Sequence, residues 1–91
     1  MNPMKKKQII IANEVGLHAR PATLFINECK KYSSNIRIRN INTDSPWTNA
    51  KSILGILSLG VQKNQAIELE ITGDDEDLAI QGIQRLVEND F

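Results

Sequence analysis

One histidine, an arginine two residues on and a proline directly after it mark the stretch of this 91-residue chain best suited to chemistry: Gly16-Leu17-His18-Ala19-Arg20-Pro21-Ala22-Thr23. Ala22, Phe25 (or Ile26), Cys29 and Tyr32 recur at helical spacing, which predicts a helix beginning just after His18. Pro21 falls in its first turn, where a missing N–H costs little. His18 then stands at the mouth of a helix, directly before backbone N–H groups that have no intrahelical acceptor. Those groups and the helix dipole favour an anion. Arg20 adds a guanidinium fork suited to phosphate oxygens. An imidazole nitrogen is a competent nucleophile near neutral pH. Gly16 lets the backbone turn so that the ring can be exposed. Together these residues describe a site able to take a phosphoryl group on His18 and steady its charge. On the same residues alone, the competing reading is a helix-capping histidine beside an incidental arginine.

The elements that must position this site follow from periodicity. Lys6 to Ala12, with three consecutive isoleucines, reads as a strand after a flexible tail at residues 1–5. The first helix carries Lys30 and Lys31 in its last turn and ends at Ser33-Ser34-Asn35. Ile36-Arg37-Ile38-Arg39 alternates as a half-buried strand. Asn40 to Pro46 is a loop of turn formers, and Trp47-Thr48 a short return strand at an edge. Ser52 to Leu59 reads as a short apolar helix, capped by Ser52 or Asn49 and stopped by Gly60. Ala66 to Thr72 alternates again, with Ile67, Leu69 and Ile71 inward and Glu68, Glu70 and Thr72 outward. Gly73-Asp74-Asp75-Glu76-Asp77 opens a last helix with a capping Asp and acids in its first turn. Its inner face holds Ala79, Gly82 (or Ile83) and Leu86, helped by Leu78 and Val87. The order is strand, helix, strand, strand, helix, strand, helix, in one domain over residues 6–91.

Two segments in register now resemble a known family. Gly16-Leu17-His18-Ala19-Arg20-Pro21-Ala22 is similar to the phosphohistidine signature of the HPr family, the phosphocarriers of the bacterial sugar phosphotransferase system. Asn49-Ala50-Lys51-Ser52-Ile53-Leu54-Gly55-Ile56-Leu57-Ser58-Leu59 is similar to that family's regulatory serine segment. The resemblance implies an α+β open-faced two-layer sandwich, βαββαβα. Its antiparallel sheet has order 1-4-2-3, with three helices on one face. It implies phosphoryl transfer from phosphoenolpyruvate, through enzyme I, to Nδ1 of His18, and on to EIIA domains. The backbone N–H groups of Ala19 and Arg20 and the Arg20 side chain would contact the phosphate. Such a chain is substrate and donor for its partners, and no freestanding enzyme. Ser52 corresponds to the serine modified by HPr kinase/phosphorylase; as a structural residue it is an ordinary N-cap. A nitrogen-branch or otherwise regulatory relative acting through partner binding is the alternative. The loop Asn40–Pro46 is about three residues longer than the family's common form, Asn64 stands where glycine is usual, and Trp47 is unusual and suited to covering the sheet edge.

The short helix has more apolar residues than one core-facing stripe can hold. Leu54 and Leu57 are therefore expected to form an exposed patch beside His18 for docking enzyme I and EIIA. Cys29 reads as a small buried residue with nothing nearby to activate it.

Composition narrows the remaining choices. With 41% hydrophobic and 24% charged residues the chain is globular, and no apolar run approaches a membrane span. One cysteine and one histidine exclude a disulfide framework and a Cys- or His-rich metal site. No cofactor, membrane insertion or targeting segment is expected, so the chain reads as a cytoplasmic monomer. The formal net charge of zero hides a division: residues 1–63 carry +7 and residues 64–91 carry −7. A basic half suits nucleic acid, but only four aromatic residues are present, and no stacking pattern accompanies it. In the sheet order above, Arg37 and Arg39 would sit across from Glu68 and Glu70 on the open sheet face. Arg20, Lys51, Lys30 and Lys63 would be left as a basic rim around His18.

Overall fold

The computed structural model describes residues 4–89 and residue 91. The chain runs β1 (Lys5–Ile11), α1 (Ala19–Cys29), β2 (Asn35–Asn40), β3 (Thr48–Asn49), α2 (Ile53–Ser58), β4 (Gln65–Thr72) and α3 (Glu76–Asn89). The four strands form one antiparallel sheet in the order β1-β4-β2-β3. Alternation along each strand sends Ile9, Ile11, Ile36, Ile38, Ile67, Leu69 and Ile71 to one face. There they meet Ala22, Phe25, Ile26 and Cys29 of α1, Ile56 of α2, and Ala79 and Ile83 of α3. Phe25 is fully buried, and burying a side chain of that size contributes about 2–3 kcal/mol. The expected architecture and strand order are those observed.

The open face of the sheet carries the charges. The two arginines of β2 do face the two acids of β4, with Arg37 opposite Glu70 and Arg39 opposite Glu68. Arg37 Nη2 donates to Glu70 Oε1, and Lys6 Nζ reaches Glu70 Oε2 from the other side at 3.6 Å. Arg39 Nε donates to Glu68 Oε1 at 2.9 Å and Nη1 to Asp44 at 3.0 Å. The Arg39 guanidinium holds the Glu68 carboxyl below the usual range. Each cross-strand pair stabilises by about 0.2–1 kcal/mol. Glu70, expected to face solvent, is instead only 8% exposed, covered by the cations that pair with it.

Several expectations are corrected. The strand begins at Lys5, inside the expected tail, and residues 1–3 of that tail lie outside the described residues. Strand β2 extends to Asn40, and β3 is Thr48–Asn49 rather than Trp47–Thr48. Trp47 packs over the guanidiniums of Arg37 and Arg39, with ring-centre distances of 5.1 and 5.4 Å. Cation–π attraction places the indole over β2. Helix α1 ends at Cys29, so Lys30 is its C-cap and Lys31 lies beyond the last turn. Leu78 is exposed, and Ile83 rather than Gly82 fills the inner face of α3. Gly82 serves a different purpose: a Cβ there would lie 1.9 Å from Tyr32 Oη. The gap lets Tyr32 donate to Glu28 Oε2 at 2.6 Å between α1 and α3.

Asp75 does not cap α3 with its side chain. Its carboxylate reaches across to the α1–β2 connection and accepts from the N–H groups of Ser33 (2.8 Å) and Ser34 (3.0 Å) and from Ser34 Oγ. These bonds, the Ser34 hydroxyl first, hold the Asp75 carboxyl below its usual range. Glu76 takes over at the helix start, accepting from Gly73 N–H at 3.2 Å.

The segment between β1 and α1 is fixed by backbone contacts. Gly16 has φ +64, and a Cβ there would lie 2.1 Å from Val61 O. The next residue, Leu17, is fully buried and donates its N–H to Val61 O at 3.0 Å. From the other side, Asn64 N–H bonds Ile11 O at 2.6 Å. Asn64 has φ +68, a left-handed conformation that asparagine tolerates.

Two outcomes follow from these contacts. Gly16→Ala should lose at least about 2 kcal/mol, because the new Cβ meets backbone and the left-handed φ is strained. Urea unfolding would read this as a lower midpoint with an unchanged m-value. The Asp75 pKa is depressed in the folded state, so its contribution is full above the unfolded value of about 3.9 and is lost as pH falls through the folded one. Asp75→Asn should therefore be less stable at pH 7 and lose less stability than wild type on going from pH 5 to pH 2.

Candidate functional site

His18 occupies the N-cap position of α1 in an extended conformation (φ −131°, ψ 161°), and its side chain makes no capping hydrogen bond. The ring is exposed. Ala19 then adopts φ +55, in the left-handed region, and turns the chain sharply into the helix. For a residue with a Cβ this costs about 1–2 kcal/mol. The helix start leaves the N–H groups of Ala19 and Arg20 without intrahelical acceptors. No other acceptor for them is found among the described residues. Pro21 has no N–H to leave unsatisfied. The first turn contains no carboxylate that would repel an anion.

The site is thus a nucleophile, two unengaged N–H donors and one guanidinium on a single helix turn. Leu17, buried behind His18, anchors the turn to the loop after α2. Arg20 is exposed and has no acidic partner among the described residues.

The structure brings together only part of the expected basic rim. Lys51 donates from Nζ to Tyr32 O at 2.7 Å and Ser34 O at 2.9 Å, so its charge is engaged beyond the C-terminal end of α1. Lys30 caps that same end, about 16 Å along the helix from His18. Lys63 lies in the loop at the His18 end but pairs with Glu14 at 2.7 Å. Arg20 is the one cation of the four that the structure leaves at the helix mouth without such an engagement.

Ser52 is the N-cap of α2, as expected, and accepts from Gly55 N–H at 3.2 Å. Helix α2 starts near the C-terminal end of α1 and runs back toward the loop that holds Leu17. Ile56 and Leu59 turn inward, whereas Leu54 is 77%, Ile53 46% and Leu57 38% exposed. The patch expected from Leu54 and Leu57 is present on the surface. Ile53 joins it, a residue that a two-turn helix leaves ambiguous by periodicity alone. Cys29 is fully buried, and burial pushes its thiol up to about 12. Tyr32 rises likewise to about 12, through burial and its bond to Glu28.

These features match known proteins. The family described as "PTS HPr component phosphorylation site" matches residues 5–89. The phosphocarrier protein HPr of Mycoplasma pneumoniae is 34% identical over 85 residues, which are 93% of this chain and 94% of that protein. A multiphosphoryl transfer protein of Haemophilus influenzae is 39% identical over 80 residues, 88% of this chain, but the chain spans only 16% of that protein's length. Among solved structures, HPr-C-His from Thermoanaerobacter tengcongensis aligns with a TM-score of 0.86 at 45% identity, covering 92% of this chain and 91% of that one. The sheet order and a match running from β1 to the end of α3 agree, and the chain belongs to the HPr family of phosphotransferase-system phosphocarriers.

Proposed function

We propose that this chain accepts a phosphoryl group on Nδ1 of His18 from phospho-enzyme I, the group originating in phosphoenolpyruvate, and hands it to EIIA domains in cytoplasmic sugar uptake. The observation that carries this reading is the exposed, uncapped His18 beside two N–H groups without acceptors among the described residues. With the ring proton on Nε2, the Nδ1 lone pair attacks phosphorus. The bond from phosphorus to its donor atom breaks, and the electron pair returns to that atom. No proton has to move. The phosphate adds negative charge at the positive end of α1, which the helix dipole stabilises by about 0.3–1 kcal/mol. Arg20 adds a charge-assisted contact. Stabilisation on this scale steadies the phosphohistidine without trapping the group, so onward transfer stays easy. The chain is then a stoichiometric substrate and donor rather than a catalyst.

Ile53, Leu54 and Leu57 present an apolar face for enzyme I and EIIA in this reading. Ser52 is the target of HPr kinase/phosphorylase. A phosphate there would sit at the start of α2, in the same short helix as Leu54 and Leu57, and oppose the approach of an acidic partner.

Incubation with enzyme I and radiolabelled phosphoenolpyruvate should give acid-labile label on the wild-type chain and none on His18→Ala. Absence of label from both would overturn the carrier reading. Leu54→Ser and Leu57→Ser should each weaken binding to enzyme I by about 1–2 kcal/mol, roughly five- to thirtyfold, as titration calorimetry would read. Unchanged affinity in both would remove the docking face from the account.

A further inference from the structure

Strand β2 ends at Asn40, whose side chain is completely buried. A buried amide must satisfy its donors and its acceptor, and Asn40 does so across three segments. Its Nδ2 donates to Leu59 O at 3.1 Å and to Gln65 Oε1 at 3.0 Å. Its Oδ1 accepts from Asn42 N–H at 3.0 Å. Gln65 Oε1 also accepts from Gln62 N–H at 2.9 Å. The amide orientation is therefore forced: both neighbours of Nδ2 are acceptors.

Leu59 and Gln65 are the two ends of the loop 60–64. Asn40 ties these ends to one another and to the sheet. The same loop carries the contacts that seat the segment before His18: Val61 O receives Leu17 N–H, and Asn64 N–H reaches Ile11 O. Val61 O is also the atom against which Gly16 packs without room for a Cβ. A displacement of the loop thus has no slack to absorb it before it reaches Leu17 and His18. Through Asn42, the Asn40 amide also joins the long 40–46 loop to this frame, since Asn42 Oδ1 accepts from Ala66 N–H at 2.7 Å.

We propose that Asn40, with Gln65, is a positioning pair for phosphoryl transfer: it fixes both ends of the 60–64 loop and through Val61 sets where His18 stands. This rests on His18 being the phosphorylated residue. Neither side chain touches the reacting atoms, so the effect is on rate through geometry, where small misplacements are costly.

The test measures two quantities on Asn40→Ala and Gln65→Leu. One is the rate of transfer as a function of phospho-enzyme I concentration, which gives the saturating rate and KM. The other is amide hydrogen exchange at Leu17, with Leu69 in the central strand as the global reference. The expected result is about tenfold slower transfer with an unchanged KM. Exchange at Leu17 should be about tenfold faster, while Leu69 keeps its wild-type protection relative to the sheet. Wild-type transfer rates in both variants would overturn the proposal. Equal loss of protection at Leu17 and Leu69 would also overturn it, because the pair would then support the fold alone. If Asn40→Ala does not fold, Gln65→Leu decides by the same two readouts, its side chain being only half-buried. An unphosphorylated wild-type chain would overturn the carrier reading and this inference with it. Normal wild-type transfer with unaffected variants would overturn this inference alone.

Discussion

Strand β4 has to lie between β1 and β2, and the rest of the molecule depends on that placement. It is antiparallel to both, so its first residue, Gln65, meets Ile11 at the end of β1, and Ile67 meets Asn40 at the end of β2. Three chain ends that are far apart in sequence thereby reach one edge of the sheet, where the loops that carry and support His18 leave it. Charge agrees with the topology. The acids of β4 sit between the cations of β1 and β2, and Glu70 is nearly buried between Lys6 and Arg37. With β4 at an edge, those basic strands would adjoin each other, and like charges directly opposite are destabilising.

At the site edge the backbone is held in left-handed conformations, free for Gly16, tolerated by Asn64 and strained for Ala19. Ala19, Asn64 and Gly16 all have positive φ. The N–H groups of Ala19 and Arg20 go without acceptors among the described residues. The left-handed Ala19 and the unpaired N–H groups cost stability locally, and they persist because the surrounding contacts over-determine them. The anchoring is done largely by backbone atoms: Leu17 N–H to Val61 O and Asn64 N–H to Ile11 O. A side-chain cap on the helix, by contrast, would occupy the very N–H groups that an incoming anion needs.

Much of this was legible in the sequence. The pattern in Ile36–Arg39 and Ala66–Thr72 identified two strands and the faces they bury, because alternation has one solution when one face is wet. His18, Pro21 and the apolar spacing after them located the helix start. Gly16 was readable as a turn, but its reason, the closeness of Val61 O, comes from a segment 45 residues away. The failures share that character. Asp75 reads locally as a helix cap, yet two serines 41 and 42 residues earlier offer it three donors. Lys51 reads as a free cation near a phosphorylation motif, yet two carbonyls at the end of α1 claim it. Asn40 reads as the start of a polar loop, yet its amide is the buried link between β2 and the 60–64 loop. Local propensity cannot report a partner supplied by tertiary contact.

The same distances decide which cations matter to a phosphate on His18. The body of the molecule is neutral, and four of its ion pairs join the basic and acidic parts of the chain: Lys5–Asp77, Lys6–Glu70, Arg37–Glu70 and Arg39–Glu68. At physiological ionic strength the screening length is about 8 Å. Helix α1 is about 16 Å long, so Lys30 and Lys51 at its far end lie some two screening lengths away. Lys63 is nearer but shares its charge with Glu14. A phosphoryl group on His18, as proposed above, would therefore meet a short-range field from one helix terminus and one arginine. A field of that reach would hold the group where it lands, and a partner that brought its own cations close would outcompete it.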